Sequence, residues 1–421
     1  MTEGRPYRFL LLSVKAAAAA TALWMSGGAV AQVWTFEQLA KRAAETHPAI
    51  LSKLSSETSA RADLEGANWQ RFPAPTVEAG NDTRNTRTAL LRLQQPLWAG
   101  GRIDGAIDAA QARFDASHSA VTETAREVVL KVIAAFVEAW RQQERVDALS
   151  RAVQQHERLL GLISRRVEHE ASPRVDQELA QSRLLQANND LSGVSQALAN
   201  ALTQLSQLTG NRVARVGPPD TANLNVPESM EVVLDEAVKI SPTLRRLEFE
   251  EEAAQADVAV KKASMFPQLA LRVEHGYASA PLSGIPAYTT NRVMIVLEAQ
   301  PGAGLSALAG VDAAVGRREA ARQQRETAMR DIQERTALDW DELSASRTRL
   351  RNSSLASRSS QEVYQSYERQ YTAGRKTWLD LLNTVRESTQ AEAAVVDANA
   401  QVAGASLRLN LATGKLIGLL K

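Results

Sequence analysis

Proline is the strictest punctuation in this chain, because its ring removes a backbone donor and interrupts the interiors of helices and sheets. None occurs from Leu97 to Ser172, from Arg174 to Gly217 or from Gly302 to Lys421. Blocks that long permit helices far beyond the size of a globular domain, since about 60 residues of α-helix reach on the order of 90 Å. Within them the apolar positions follow three-and-four spacing. Ile103, Ile107, Ala110 and Phe114 do so in the first block, and Leu184, Leu191, Leu198, Leu202 and Leu205 in the second. Val395, Ala398, Val402, Ala405, Leu409, Ala412 and Leu416 do so in the third. A sustained period near 3.5 predicts helices packed as coiled coils. Aromatic residues make up only 5% of the 421, which suits helices meeting through small side chains better than a thick core.

The same punctuation reveals a duplication. Pro48 in "ETHPAI" matches Pro242 in "KISPTL" at a shift of 194, and Phe72-Pro73 matches Phe266-Pro267 at the same shift. Gln95-Pro96 then matches Gln300-Pro301 at 205, while Asp176 matches Asp380 and Thr209-Gly210 matches Thr413-Gly414 at 204. A repeat this long is a doubled domain rather than a solenoid. It divides the chain into a first repeat over 32–225 and a second over 226–421. Each reads as a short helix, a β-hairpin (about 74–96 and about 268–300) and long helices (about 100–210 and about 304–416). The strand signal is clearest from Asn291 to Gln300, where Val293, Ile295, Leu297 and Ala299 alternate with Arg292, Met294, Val296 and Glu298.

Arg5 and Arg8 precede an apolar stretch from Phe9 to Met25, and Ala29-Val30-Ala31 follows. This predicts a signal peptide over residues 1–31, cleaved before Gln32, with an uncleaved N-terminal anchor as the alternative. No later run has the roughly 20 apolar residues of a spanning helix. An exported chain of this kind can cross a membrane only as a closed β-barrel. Two hairpins supply four strands and small membrane barrels need at least eight, so a barrel requires several copies.

These features resemble the TolC family of outer-membrane efflux and secretion ducts over nearly the whole mature chain. The duplication carries the resemblance, with "QPLWAGGRI" at Gln95 to Ile103 and "YTAGRKTWLDLLN" at Tyr371 to Asn383. The latter, followed by Arg386-Glu387, is most similar to the type I secretion branch that exports large adhesins, the LapE/AggA-like proteins. The resemblance implies a mainly α fold with a small β part. Three chains would form a homotrimer, an α-barrel of long coiled-coil helices joined to a 12-stranded outer-membrane β-barrel, with four strands per chain in outer-membrane lipid. It implies a passive conduit fed by a periplasmic membrane-fusion adaptor and an inner-membrane ABC transporter, or alternatively the RND pump of a multidrug efflux system. It also places Asp380 and Asn383 at a periplasmic constriction. Asp176, Tyr371 and Lys376 fall at the links that hold the aperture, Lys376 and Asp176 as an ion pair, and Pro173, Gly374 and Arg375 at the turns that meet the adaptor.

Other function classes find little support. Zero cysteine excludes disulfides, thiolate metal sites, a cysteine nucleophile and a lipidated cysteine. A net charge of +1 offers no global attraction to nucleic acid. His47, His118, His156, His169 and His275 form no metal-binding spacing, and no catalytic constellation assembles, so neither an enzyme nor a cofactor is expected. Gly302 to Ala307 matches a G-x-G-x-x-A pattern, but no alternating βα series follows. A periplasmic coiled-coil adaptor would place one hairpin between β-rich domains, whereas here the helical hairpins come twice, with strands between helices.

Overall fold

The computed structural model describes residues 33–81, 86–220, 229–280, 285–299, 306–416 and 418; the expected signal peptide lies outside them. The first half runs β1 (Val33–Trp34), α1 (Phe36–Thr46), α2 (Pro48–Trp69), β2 (Ala74–Asn81), β3 (Arg87–Trp98), α3 (Arg102–Glu168) and α4 (Arg174–Thr209). The second repeats the order: β4 (Arg215–Val216), α5 (Met230–Ile240), α6 (Pro242–Ala263), β5 (Gln268–Ala280), β6 (Ile285–Glu298), α7 (Ser306–Thr372) and α8 (Trp378–Ala412). β1 pairs in parallel with β4.

Two short helices precede each hairpin where the sequence reading expects one, and proline is the reason. The residue before a proline is pushed out of the helical region. His47 and Ser241 take extended ψ of 128° and 115°, ending one helix and capping the next. His47 Nδ1 accepts a hydrogen bond from the Ala49 amide at 3.2 Å, and Ser241 Oγ accepts one from the Leu244 amide at 3.3 Å. Pro48 and Pro242 then occupy the first helical turn, where a missing amide hydrogen costs nothing.

α3 and α7 are each 67 residues long, about 100 Å at 1.5 Å per residue, and each runs from the strands to a tight turn at the far end. Near the sheet the helices lie side by side in the order α2, α3, α6, α7; beyond it the order is α4, α3, α8, α7. Their packing is thickest at mid-height. There Phe36 and Leu39 of α1 meet Val129, Val132, Ile133 and Phe136 of α3, with Leu205, Val216, Leu407 and Leu411 closing the cluster. Phe36 and Phe136 make an edge-to-face contact at 5.7 Å. The corresponding cluster of the second half is smaller: Val233, Leu343, Ala405 and Leu409, with Trp340 and Val402 partly buried.

Burial along the wall is uneven in a regular way. α3 and α8 have helices on both sides, whereas α4 and α7 stand at its two margins. The margins keep apolar side chains exposed: Val175 and Leu185 on α4, and Leu308, Leu338 and Leu355 on α7. Within one chain these positions have nothing to cover them.

Candidate functional site

The four long strands form one antiparallel sheet in the order β2, β3, β5, β6. Its registers place Val77 opposite Leu91, Leu93 opposite Val273, Val273 in turn opposite Val293, and Leu271 opposite Ile295. All of these share one face, and most are open to the surroundings, from 39% exposure at Val273 to 75% at Val77. The opposite face aligns Thr76, Arg92, Glu274 and Arg292 across the four strands. Arg92 Nε donates to Glu274 Oε1 at 2.9 Å, Glu78 approaches Arg92 at 3.5 Å, and Arg292 lies 3.7 Å from Glu274 Oε2. Arg272 donates to Gln94 Oε1 at 3.0 Å. One face is therefore uncovered and apolar while the other holds a lattice of ions. That arrangement suits lipid outside and water inside, and it is the reverse of a hairpin packed on a globular core. Strands β2 and β6 remain as edges, which a closed sheet abolishes.

Aromatic side chains gather where strands become helices. Trp69 and Phe72 meet in a tilted pair at 5.1 Å, Trp98 and Phe266 meet edge-on at 6.5 Å, and all four are more than half exposed. Girdles of aromatic residues at that level flank the apolar band of membrane barrels.

At the far end the two helical hairpins turn over one backbone pattern. In the first turn the Ala171 amide bonds the Arg166 carbonyl at 2.7 Å and the Glu170 amide bonds Val167 at 3.0 Å. The second reproduces this 204 residues later, Arg375 to Gln370 at 2.9 Å and Gly374 to Tyr371 at 3.0 Å. The pattern needs a left-handed residue after the helix. Gly374 takes it with φ 72°, and Glu170 takes it with φ 58° as the one non-glycine residue of positive φ among those described. Pro173, Gly374 and Arg375 are exposed on these turns.

Tyr371 is 6% exposed in a cluster with Leu159, Ile163, Trp378, Leu381 and Val385, and its ring lies 5.5 Å from that of Trp378. Arg166 sets its guanidinium 5.2 Å from the Tyr371 centroid, while its Nε donates to Ser172 Oγ at 3.3 Å. This ties the end of α3 to the end of α7 through a cation–π contact. Burial pushes the Tyr371 hydroxyl above its usual pKa; Arg166 and Ser172 oppose the rise and nearby Asp176 adds to it. Asp176 therefore acts on Tyr371 through its charge, and no hydrogen bond joins the two among the described residues. Lys376 makes no ion pair with Asp176 within one chain among the described residues, because its ammonium rests 4.3 Å above the ring of Tyr367.

Asp380 has a local task. Its Oδ2 accepts from the Thr377 amide at 3.2 Å and the Thr377 hydroxyl at 2.8 Å, and Thr377 Oγ1 accepts from the Asp380 amide at 3.2 Å. This reciprocal box opens α8. The hydrogen bonds from Thr377, side chain first, hold the Asp380 carboxyl below the usual aspartate range, and Lys376 adds to the effect. Asn383 is exposed one turn further along α8. The sequence reading missed Arg166, Tyr367 and Trp378. The Thr377-x-x-Asp380 spacing did carry the cap, but no spacing announces that Arg166 covers a ring on another helix.

Comparison with known proteins bears on the whole architecture. The family "Outer membrane efflux protein" matches residues 39–211 and 233–415, one segment in each half. Among solved structures, a membrane protein from Pseudomonas aeruginosa is similar with a TM-score of 0.79 and 19% identity, covering 90% of each chain. The outer membrane protein VceC of Vibrio cholerae is similar with a TM-score of 0.77 and 16% identity, over 90% of this chain and 96% of that one. The MtrE outer membrane channel of Neisseria gonorrhoeae, in its open state, gives 0.75 and 19%, over 90% of this chain and 88% of that one. At these identities the likeness is one of fold. No curated protein sequence matches the chain.

Proposed function

The chain belongs to the outer membrane efflux protein family, and we propose that three copies of it close into a duct through which a type I secretion system exports a large protein such as an adhesin. The duct is a non-enzymatic conduit; energy and cargo choice come from an inner-membrane ABC transporter joined through a periplasmic adaptor. The observation that carries the conduit is the sheet, apolar and uncovered on one face and ionic on the other, with an open strand at each edge. The margins match from top to bottom: β2 and α4 on one side, β6 and α7 on the other. Through the duplication, the packing of α8 on α3 inside one chain is the template for packing α4 of one copy on α7 of the next. Such head-to-tail contacts generate rings when the rotation closes. Three copies give twelve strands, enough for a membrane barrel.

In this reading the hairpin tips form the periplasmic mouth. Asp380 and Asn383 stand at its constriction, Tyr371 and Asp176 link the two hairpins of a protomer, and Lys376 becomes free for a neighbour once it leaves Tyr367. Support for the secretion branch comes from the Tyr371 to Asn383 segment and from Glu170, a non-glycine residue at the first turn. Two experiments test the proposal. The purified protein should run as a detergent-resistant trimer from the outer membrane, and a monomer in the soluble fraction would remove the duct. Deletion of the gene should abolish display of a surface adhesin and leave drug tolerance intact; the opposite pair of results assigns the chain to a drug-efflux pump.

A further inference from the structure

Between α3, α4 and α8, on the side of the wall towards the tips, lies a cavity of about 590 Å³, a size typical of small-molecule sites. Its floor is apolar, with Leu149 and Ala152 from α3, Ala187 from α4 and Leu382 from α8. Its rim is basic: Arg145 and His156 from α3, Arg183 from α4 and Arg386 from α8, against the single carboxylate of Asp190. Arg183 and Arg386 form no salt bridge or hydrogen bond among the described residues. Arg145 lies 3.8 Å from Asp397, a carboxylate it shares with Arg141.

The duplication supplies an internal control. At positions 204 residues away, Arg183 becomes Glu387, His156 becomes Ser360, Arg386 becomes Ser182, Leu149 becomes Ser353 and Leu382 becomes Glu178. Arg145, Ala152 and Ala187 keep their identity as Arg349, Ala356 and Ala391, so the repeated backbone leaves Arg183, His156, Arg386, Leu149 and Leu382 free to vary, and it is these five that make the cavity basic at the rim and apolar at the floor. We propose that this cavity binds a small amphiphilic anion, a carboxylate or sulfonate on an aromatic or aliphatic body, with its charge among Arg145, Arg183 and Arg386 and its body on Leu149 and Leu382. Burial, and then Arg183, hold His156 below its ordinary pKa, so its imidazole is neutral in the empty cavity at neutral pH. Arg145, Arg386 and Asp190 are the other charged groups that line the cavity around it. A bound anion reverses the balance, so binding takes up a proton and tightens as pH falls.

The proposal draws all its residues from one chain, among them Asn383, which the transport reading places at the constriction, and its test reads binding alone, so its failure is distinguishable from a failure of that reading. The test is calorimetric titration of the full-length protein in lipid nanodiscs with 1-naphthalenesulfonate. 1-Naphthylmethylammonium serves as a probe of the same shape and opposite charge. One sulfonate per chain is expected, binding more tightly at pH 5.5 than at pH 7.5, with no saturable binding of the ammonium. Arg183→Glu combined with Arg386→Ser installs the residues of the other half and should weaken the sulfonate at least about tenfold. If that variant loses the wild-type circular dichroism, Arg183→Gln replaces it, with at least about a threefold loss expected. Undiminished affinity in the folded variant, equal binding of the ammonium, or no saturable binding by the wild type would overturn the site.

Discussion

At the tip of the first hairpin Glu170 stands in the left-handed conformation that Gly374 holds at the second, and Pro173 stands where Thr377 caps the following helix. The backbone bonds around the two turns are the same. The side chains that finish them differ, and so do the aspartates that follow. Asp380 is engaged by Thr377 at the start of α8. Asp176, behind a proline that makes no side-chain cap, instead lies near Tyr371. The halves thus share what the topology needs, namely the prolines that open α2 and α6, turn geometry and helix length, and diverge wherever a side chain can change its task without moving the chain. The same division separates the large cluster around Phe136 from the small one around Trp340, which sits at the equivalent position of the second half.

That comparison can be broken most sharply at mid-height. Phe136→Ala should destabilise the protein by about 3–5 kcal/mol, as expected for a fully buried ring, in denaturant unfolding of the detergent-solubilised protein. Trp340→Ala, at a partly buried position, should cost clearly less; equal losses would mean that both halves bury their cores alike. The turns come next. Gly374→Ala should cost about 1–2 kcal/mol and Glu170→Gly should stabilise by about 1 kcal/mol, because a side chain in the left-handed region carries that penalty. Changes of the same sign would show that the turns are not equivalent.

A smaller contrast concerns the caps. Thr377→Val should lose about 1 kcal/mol and speed amide exchange in the first turn of α8, whereas Pro173→Ala removes no cap and should leave the first turn of α4 unchanged. The smallest effect is one of pH. The carboxyl of Asp380 is held below its ordinary range, so its stabilisation is complete above the pKa of an unfolded aspartate and is lost as pH falls through the lowered folded value. Amide exchange at the start of α8 should therefore separate wild type from Asp380→Asn near neutrality, with the two converging in acid. A gap that persists at low pH would show that the carboxylate is not the group responsible.

Much of the architecture was legible because it depends on one-dimensional signals. The proline-free blocks became α3, α4, α7 and α8, and the alternation around Val293 and Ile295 became β6 with the same side chains on one exposed face. Pro48 and Pro242 were visible as anchors, although the break each imposes on the preceding residue was not drawn from them. The tip was less legible. Glu170 gives no local sign of a left-handed turn, since only the hydrogen bonds around it require that conformation. Arg166 over Tyr371 and Lys376 over Tyr367 depend on which helices lie side by side, and the basic rim draws its residues from three helices far apart in sequence.

The equal length of α3 and α7 has a consequence for how this chain can change. One residue added to either helix would turn everything beyond it by about 100° and advance it by about 1.5 Å, so a single insertion would lift one tip out of line and rotate its contacts away. Arg102 and Ser306, which begin these helices, and Glu168 and Thr372, which end them, are both 204 residues apart. Phe72 and Phe266, just before the strands, are 194 apart. All ten residues of drift between the halves therefore accumulated between the last short helix and the first long one, in and around the hairpin. The helices act as paired rulers, and tolerance for insertion and deletion is confined to the end of the molecule where length does not have to match.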